Sequence, residues 1–268
     1  MMMNLGDVQE TMLIPLAVKA NETLRPNARI HDDKALHIIK SLGIDTSKYD
    51  KFMSHEGVVA RTIMFDKEVK SYLDQYPYAV CINLGCGLDD RFSRVDNGKL
   101  LWYDLDLPDS IQVRSRFFED NKRVTMIAGS VLEPGWAGQV EKGRKAIIIA
   151  EGLLMYFKQE DVKKLLSIIT EHFLDFVIIA ELMHPFAAKG SKHHDTVKNT
   201  KATFKWGTKT GHELEKLCPG LKLVKEDSFN VVMKTFTFRG RLFSLIPGVK
   251  DCNDRLAVFE WGNSRQPL

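Results

Sequence analysis

Acidic side chains close two of the apolar runs in this sequence, and a histidine follows a third. Asp104 and Asp106 end the run at 99–103, Glu151 comes directly after 146–150, and His184 stands just beyond 176–183. A carboxylate at the end of a buried strand is costly without a partner, so each acid is a candidate for binding a hydroxyl or a cation. Imidazole changes charge near neutral pH, which makes His184 a candidate general base, although a strand-end histidine commonly serves as a structural hydrogen-bonding group. Arg61 interrupts an apolar helical pattern at 57–76 and can clamp an anion through its guanidinium fork. No metal-ligand spacing and no Ser-His-Asp order stands out among these residues. The four cysteines, Cys81, Cys86, Cys218 and Cys252, form no C-x-x-C pair, so neither a metal site nor a disulfide framework is expected.

The stretch 78–108 organises these candidates. A short apolar run at 79–82 breaks at Gly85-Cys86-Gly87 and leads into a helix start at 88–92, and a second strand then closes on Asp104-Leu105-Asp106 before Pro108. Glycines admit a polar ligand against bare backbone, and an acid about 20 residues on accepts ribose hydroxyls. From Gly85 to Asp106 is 21 residues. Asp104 and Asp106 share parity on the strand, so either can reach a ribose. The third small residue of a dinucleotide fingerprint is missing. Its place is taken by Asp90 beside Asp89, and two carboxylates would repel a pyrophosphate. A ligand with a ribose, a positive charge and no phosphate fits better, and S-adenosylmethionine has those features. The rival readings are a nicotinamide-dependent oxidoreductase, whose dinucleotide the two acids and the missing third glycine argue against, and a non-catalytic nucleoside-binding protein.

Around this stretch the chain alternates. Strands are predicted at 79–84, 100–105, 124–129, 146–150, 176–182, 221–226 and 255–261. Helices are predicted between them at 89–94, 108–119, 134–141, 160–173 and 210–217, with three more across residues 11–76. Such alternation implies an α/β fold with a largely parallel sheet, whose ligands lie beyond the carboxyl ends of the strands. Residues 184–209 are polar and basic and break the pattern, as lids and binding segments do. With 268 residues, 44% hydrophobic and 27% charged, the chain is expected to be one domain: a helical cover at 1–76, a core at 77–183, a lid or insertion at 184–209 and a completing segment at 210–268. A net charge of +3 gives no argument for nucleic acid or a membrane surface. No apolar run approaches the ~20 residues that span a bilayer, and no export signal is read at residues 1–10, so a cytoplasmic setting is expected.

Four ordered motifs carry a family resemblance: Ala60-Arg61-Thr62 with Phe65-Asp66, Asn83-Leu84-Gly85-Cys86-Gly87-Leu88-Asp89, Trp102-Tyr103-Asp104-Leu105-Asp106-Leu107-Pro108, and Ala150-Glu151-Gly152-Leu153-Leu154-Met155-Tyr156. With these the chain resembles the leucine carboxyl methyltransferase family, in its bacterial branch similar to polyketide O-methyltransferases. The resemblance implies a class I S-adenosylmethionine-dependent methyltransferase fold, Rossmann-like, with seven strands and an N-terminal helical cover. It implies cofactor contacts at Arg61, Gly85, Gly87, Asp106, Ser130, Val131 and Glu151, with Arg61 on the methionine carboxylate, Asp106 on the ribose and Ser130-Val131 at the adenine. Ser130 stands where the family commonly has Asp. The implied reaction is O-methylation of a small-molecule hydroxyl or carboxyl group, or, as the alternative, methyl esterification of a protein C-terminus.

Overall fold

The structure, a computed structural model, describes residues 9–189, 203–236 and 253–262. Its sheet is built from β1 (Val80–Leu84), β2 (Leu101–Asp106), β3 (Val124–Ala128), β4 (Ala146–Ala150), β5 (Phe176–Leu182), β6 (Lys222–Ser228) and β7 (Arg255–Trp261). The strand order is β3-β2-β1-β4-β5-β7-β6. The first five strands run parallel, and β7 is antiparallel to both β5 and β6. Every residue of β1, β4 and β5 is buried, because helices cover both faces of the sheet. The edge strand β6 instead carries Lys222, Lys225, Glu226 and Asp227, charges that keep an open edge from pairing with another chain.

One face is covered by α6 (Gln159–His172), a 3₁₀ turn at Pro134–Gln139 and α8 (His212–Leu217); their apolar sides pack on Ile82, Ile148 and Ile178. The other face is covered by α3 (Phe52–Gln75), with Phe65, Val69 and Leu73 against Cys81, Ile147 and Ile179, and by Met233 of α9 (Asn230–Phe236). The cover comprises α1 (Leu13–Thr23) and α2 (Asp33–Leu42), which pack on each other and on Leu88, just past the glycine turn. Asp32 caps α2 by accepting from the Ala35 N–H (2.8 Å), and Gly43 ends it at φ +61°. Two short helices, α4 (Arg91–Val95) and α5 (Pro108–Arg114), follow β1 and β2.

All seven predicted strands are present. The helix expected at 108–119 stops at Arg114, the one expected at 134–141 is a 3₁₀ turn, and α3 begins at Phe52 rather than near Gly57. Within 184–209, Pro185–Lys189 forms a further short helix, α7. The Lys205 and Thr208 N–H groups donate to Met155 O (2.7 Å) and Met183 O (2.9 Å), tying 203–208 to the ends of β4 and β5. Residues 190–202, with His193 and His194, and residues 237–252 lie outside the described residues.

Candidate active site

The glycine turn is built by left-handed backbone. Gly85 and Gly87 have φ of +65° and +50°, and an added Cβ would come within 3.0 Å of Leu153 and 3.1 Å of Met12 respectively. The Gly85 and Cys86 N–H groups donate to Leu105 O (2.8 and 3.2 Å), which locks the turn to β2. Cys86 is buried, and burial pushes its thiol far above the ordinary range, so it is no nucleophile.

The two acids of β2, equivalent by parity, are separated by their partners. Asp104 is 1% exposed and consumed: it accepts from Asn83 Nδ2 (3.0 Å), from Trp102 Nε1 (2.9 Å) and from Arg114 Nη2 (2.6 Å). Asp106 is half-buried at the strand end. Its Oδ2 accepts from Gly87 N–H (2.8 Å) and its Oδ1 from Leu107 N–H (2.7 Å). Burial raises its pKa against the pull of these amide hydrogen bonds. With the Ser110 side chain as a third partner, the carboxylate keeps acceptor capacity for a further hydroxyl.

Beyond β4 and β5 the site becomes ionic. Ile148-Ile149-Ala150-Glu151 and Ile178-Ile179-Ala180-Glu181 are the same tetrapeptide, and pairing of Ala150 with Ala180 puts the two glutamates side by side. Arg61, from α3, lies between them: Nε is 2.8 Å from Glu151 Oε1, and Nη1 donates to Glu181 Oε2 at 3.0 Å. Glu181 Oε2 also accepts from Gly152 N–H (2.6 Å). Glu151 is bonded to Arg91 as well. Burial opposes ionisation of Glu151, but Arg61 and Arg91 outweigh it and hold its pKa below the usual range.

The ion pairs continue from Arg91 through Asp66 to Arg94, and from there to Asp89, Asp32 and Lys19. The helical cover is therefore joined to the glycine turn by charge as well as by packing. Asp89 is held well below the ordinary carboxylate range: burial opposes this, and Arg94, Lys19 and Arg91 overcome it. This corrects one expectation. Asp89 does not repel anions as a bare charge, since cations surround it, and the case against a diphosphate rests instead on the missing third small residue and on a helix α4 only five residues long. Glu181, Arg91 and Lys19 escaped the sequence reading, and the repeated Ile-Ile-Ala-Glu was the available signal for Glu181.

Of the remaining candidates, Ser130 is half-buried in the turn after β3 and its Oγ accepts from Leu132 N–H (3.2 Å). Val131 is buried, and its carbonyl accepts from Trp136 Nε1 (3.2 Å). His184 begins α7: its Nδ1 accepts from Phe186 N–H (3.3 Å), a capping bond. Arg61, Gly85, Gly87, Asp106, Ser130, Val131 and Glu151 all follow or face the carboxyl ends of β1 to β4, where an open α/β sheet binds its ligand.

The family model described as leucine carboxyl methyltransferase matches residues 13–126. The tetracenomycin polyketide synthesis O-methyltransferase TcmP of Streptomyces glaucescens is 29% identical over 83% of this chain and 83% of its own length. The chain is an S-adenosylmethionine-dependent methyltransferase related to this family. A second relative, the S-adenosyl-L-methionine-dependent methyltransferase dpfgK of Gibberella zeae, is 26% identical over 81% of each chain. Among solved structures, a DUF574-family protein from Streptomyces avermitilis superimposes with a TM-score of 0.57 at 10% identity, covering 92% of this chain and 96% of its own. Magnesium protoporphyrin IX methyltransferase from Synechocystis, with bound SAH, gives 0.50 at 12% identity, covering 86% and 94%. The fold of this methyltransferase is thus the class I arrangement.

The residues present fit the cofactor. Among the described residues, the buried side-chain nitrogen and oxygen atoms without a hydrogen bond are Arg61 Nε, beside Glu151, and Asp89 Oδ2 and Arg114 Nε at the glycine turn. Arg61 Nε is near Glu151 yet makes no hydrogen bond with it, so its N–H remains to be used. In the ionic chain four cations (Lys19, Arg61, Arg91, Arg94) meet five carboxylates (Asp32, Asp66, Asp89, Glu151, Glu181), a balance that suits a ligand of net positive charge. No grouping of His, Cys, Asp and Glu among the described residues is arranged to hold a metal ion.

Proposed function

We propose that this methyltransferase methylates an oxygen, hydroxyl or carboxyl, of a small apolar acceptor. The observation that carries the cofactor side of this reading is Asp106 at the end of β2, which accepts from the Gly87 amide of the glycine turn and from the Leu107 amide and keeps acceptor capacity for a ribose hydroxyl. Gly85 and Gly87 keep the turn free of side chains where the cofactor lies against it. Ser130 and Val131, after β3, border the adenine. Arg61 offers its guanidinium charge to the methionine carboxylate, and Glu151 faces the ammonium and sulfonium charges. The cofactor supplies an electrophilic methyl group on sulfur. The chain's own contribution is alignment: the strand ends fix the donor, and the acceptor oxygen is held in line while water is kept out.

The acceptor side is supported by an apolar cluster next to the ends of β4 and β5. Met155, Met183 and Ala188 pack with Tyr156 and Phe204, whose rings are tilted with centroids 5.6 Å apart. Ile14 and Tyr49 of the cover close the other side of Tyr156 and Phe204. The name of TcmP, an O-methyltransferase of tetracenomycin polyketide synthesis, agrees with such an acceptor. A carboxylate acceptor needs no base at pH 7, whereas a phenol of pKa ≈ 10 profits from one; His184 is occupied as a helix cap. No described helix is long and apolar enough to cross a membrane, and the described thiols Cys81, Cys86 and Cys218 are unpaired, which supports a reducing cytoplasmic setting.

The test is calorimetric titration with S-adenosylhomocysteine, S-adenosylmethionine and NADH, followed by labelled methyl transfer to aromatic acids, phenols and a peptide ending in leucine. Binding of the first two, with label on a small molecule, is expected. A ligand at 100-fold its Kd should add about 2.7 kcal/mol to unfolding stability. Binding of NADH alone, or label on the peptide alone, would overturn the reading.

A further inference from the structure

One ionisable group at this end of the sheet takes no part in the account above. Asp254 precedes β7, the strand inserted antiparallel beside β5, and its side chain hydrogen-bonds that of Glu181. Two carboxylates in hydrogen-bond contact must share a proton, because neither ionised form can donate. The groups that face this pair are Arg61 from α3, Glu151 at the end of β4, Tyr156 in the turn after it, and Arg255 on β7. Arg255 is itself spent on Glu226 (2.6 Å) and Thr208 O (2.6 Å). Arg61 and Arg91 are thus left facing Glu151 and a carboxyl pair of single charge.

The position of the pair follows from the sheet. The ribose acid closes β2, the glycine turn closes β1, and strand order reverses between β1 and β4. A cofactor whose nucleoside end lies over β2 and β3 extends its amino-acid and sulfonium end toward β4 and β5, where Glu151 and Glu181 stand. Resting on the cofactor reading given above, we propose that Glu181 and Asp254 act together as a proton-sharing positioning pair that fixes Arg61 and the Gly152 turn and sets the negative charge presented to the sulfonium. Burial and the Glu181 charge push the Asp254 pKa up to about 8, so the pair gives up its proton to solvent just above neutrality and its charge then doubles. A purely structural pair would support the fold at any charge; this one alters the preference between a cationic and a neutral ligand.

The experiment measures Kd for S-adenosylmethionine and S-adenosylhomocysteine from pH 6.5 to 9.5 by calorimetry, on the full chain and on Asp254→Asn. Both ligands carry the same amino acid and nucleoside, so their ratio cancels the titration of shared groups and reports the charge beside sulfur. The ratio of the homocysteine Kd to the methionine Kd is expected to rise roughly three- to tenfold through pH 8 in the parent protein. It should stay flat in Asp254→Asn, where an amide replaces the protonated acid. A flat ratio in the parent, with both ligands bound, would overturn the pair's role and leave the methyltransferase reading standing. A rise that persists in Asp254→Asn would also overturn it. Failure of the parent to bind either ligand would instead sink the cofactor reading. Should the variant not fold, Glu181→Gln is measured in its place, and a flat slope in the parent alone still overturns the pair's role.

Discussion

Two buried networks of charge occupy this molecule, one inside the helical cover and one at the strand ends. In the cover, Glu22 is fully buried and accepts from Arg29 Nε (2.8 Å) and His55 Nε2 (2.7 Å); Arg29 also donates to Glu56 (2.7 Å), and His55 Nδ1 to Asp50 (2.8 Å). Among the described residues this network leaves no buried side-chain atom without a hydrogen bond. At the strand ends, Arg61 Nε, Asp89 Oδ2 and Arg114 Nε make none. The cover network is saturated and can only hold α1 against α3. The strand-end network is short of partners, which is what a ligand-binding surface needs, since unsatisfied buried groups cost free energy until something meets them.

Removing one charge from each network sharpens the contrast. Arg61→Ala leaves Glu151 and Glu181 facing each other without their shared cation, so chemical unfolding should show a loss of about 3–5 kcal/mol, accompanied by loss of cofactor binding in calorimetry. Glu22→Gln removes a charge from the cover; a loss of ~1.5–3 kcal/mol in stability is expected, with the cofactor Kd unchanged in the folded protein. Should Glu22→Gln weaken cofactor binding as Arg61→Ala does, the division between the networks fails. Asp106→Ala inverts the pattern. Its partners are two backbone amides and the Ser110 side chain at an open strand end, so stability should hardly move while cofactor affinity falls by roughly ten- to a hundredfold, a ~1.5–3 kcal/mol charge-assisted bond.

The smallest expected effect is on pH dependence. Both ring nitrogens of His55 face carboxylates, a geometry that only the doubly protonated ring satisfies. Burial pulls its pKa down, but Asp50 and Glu22 outweigh that and raise it. The stability it contributes is therefore fully present below the unfolded value near 6.5 and is lost as pH rises through the raised folded value. Glu22 has the opposite sign: burial works against it, but Arg29 and His55 bring its pKa down to about 2, so its contribution is present above the ordinary 4.5 and is lost as pH falls toward 2. Denaturant titrations of the parent and of His55→Gln from pH 6 to 9 should converge at the alkaline end.

Much of the fold was legible because it obeys short-range rules. Runs such as Val-Cys-Ile-Asn-Leu and Ala-Ile-Ile-Ile-Ala are buried on both faces and read as strands without further help. The short helices α7 and α9 were missed, since five to seven residues carry too little periodicity to register. The site divides in the same way. Gly85, Gly87 and Glu151 announce themselves by position, as glycines in a turn or an acid at a strand end. Asp104 and Asp106 cannot be told apart along the strand, because what separates them is Asn83 and Arg114, brought in by a neighbouring strand and a following helix. The partners of Asp89 are harder still: Lys19 is 70 residues away, and only packing of α1 on the core brings the two together.

The insertion of β7 between β5 and β6 has a consequence for how the chain is made. During synthesis the first five strands can pair as they emerge, whereas β6 has no edge to join until β7 is available. A nascent chain that has reached residue 228 would carry the largely apolar strand β5 with an open row of amides, a template for misassociation on the ribosome. It would also lack residue 254, so the charge centre is among the last parts of the enzyme to be completed. Maturation of activity should accordingly lag behind collapse of the sheet, as expected when a centre is closed by contacts distant in sequence.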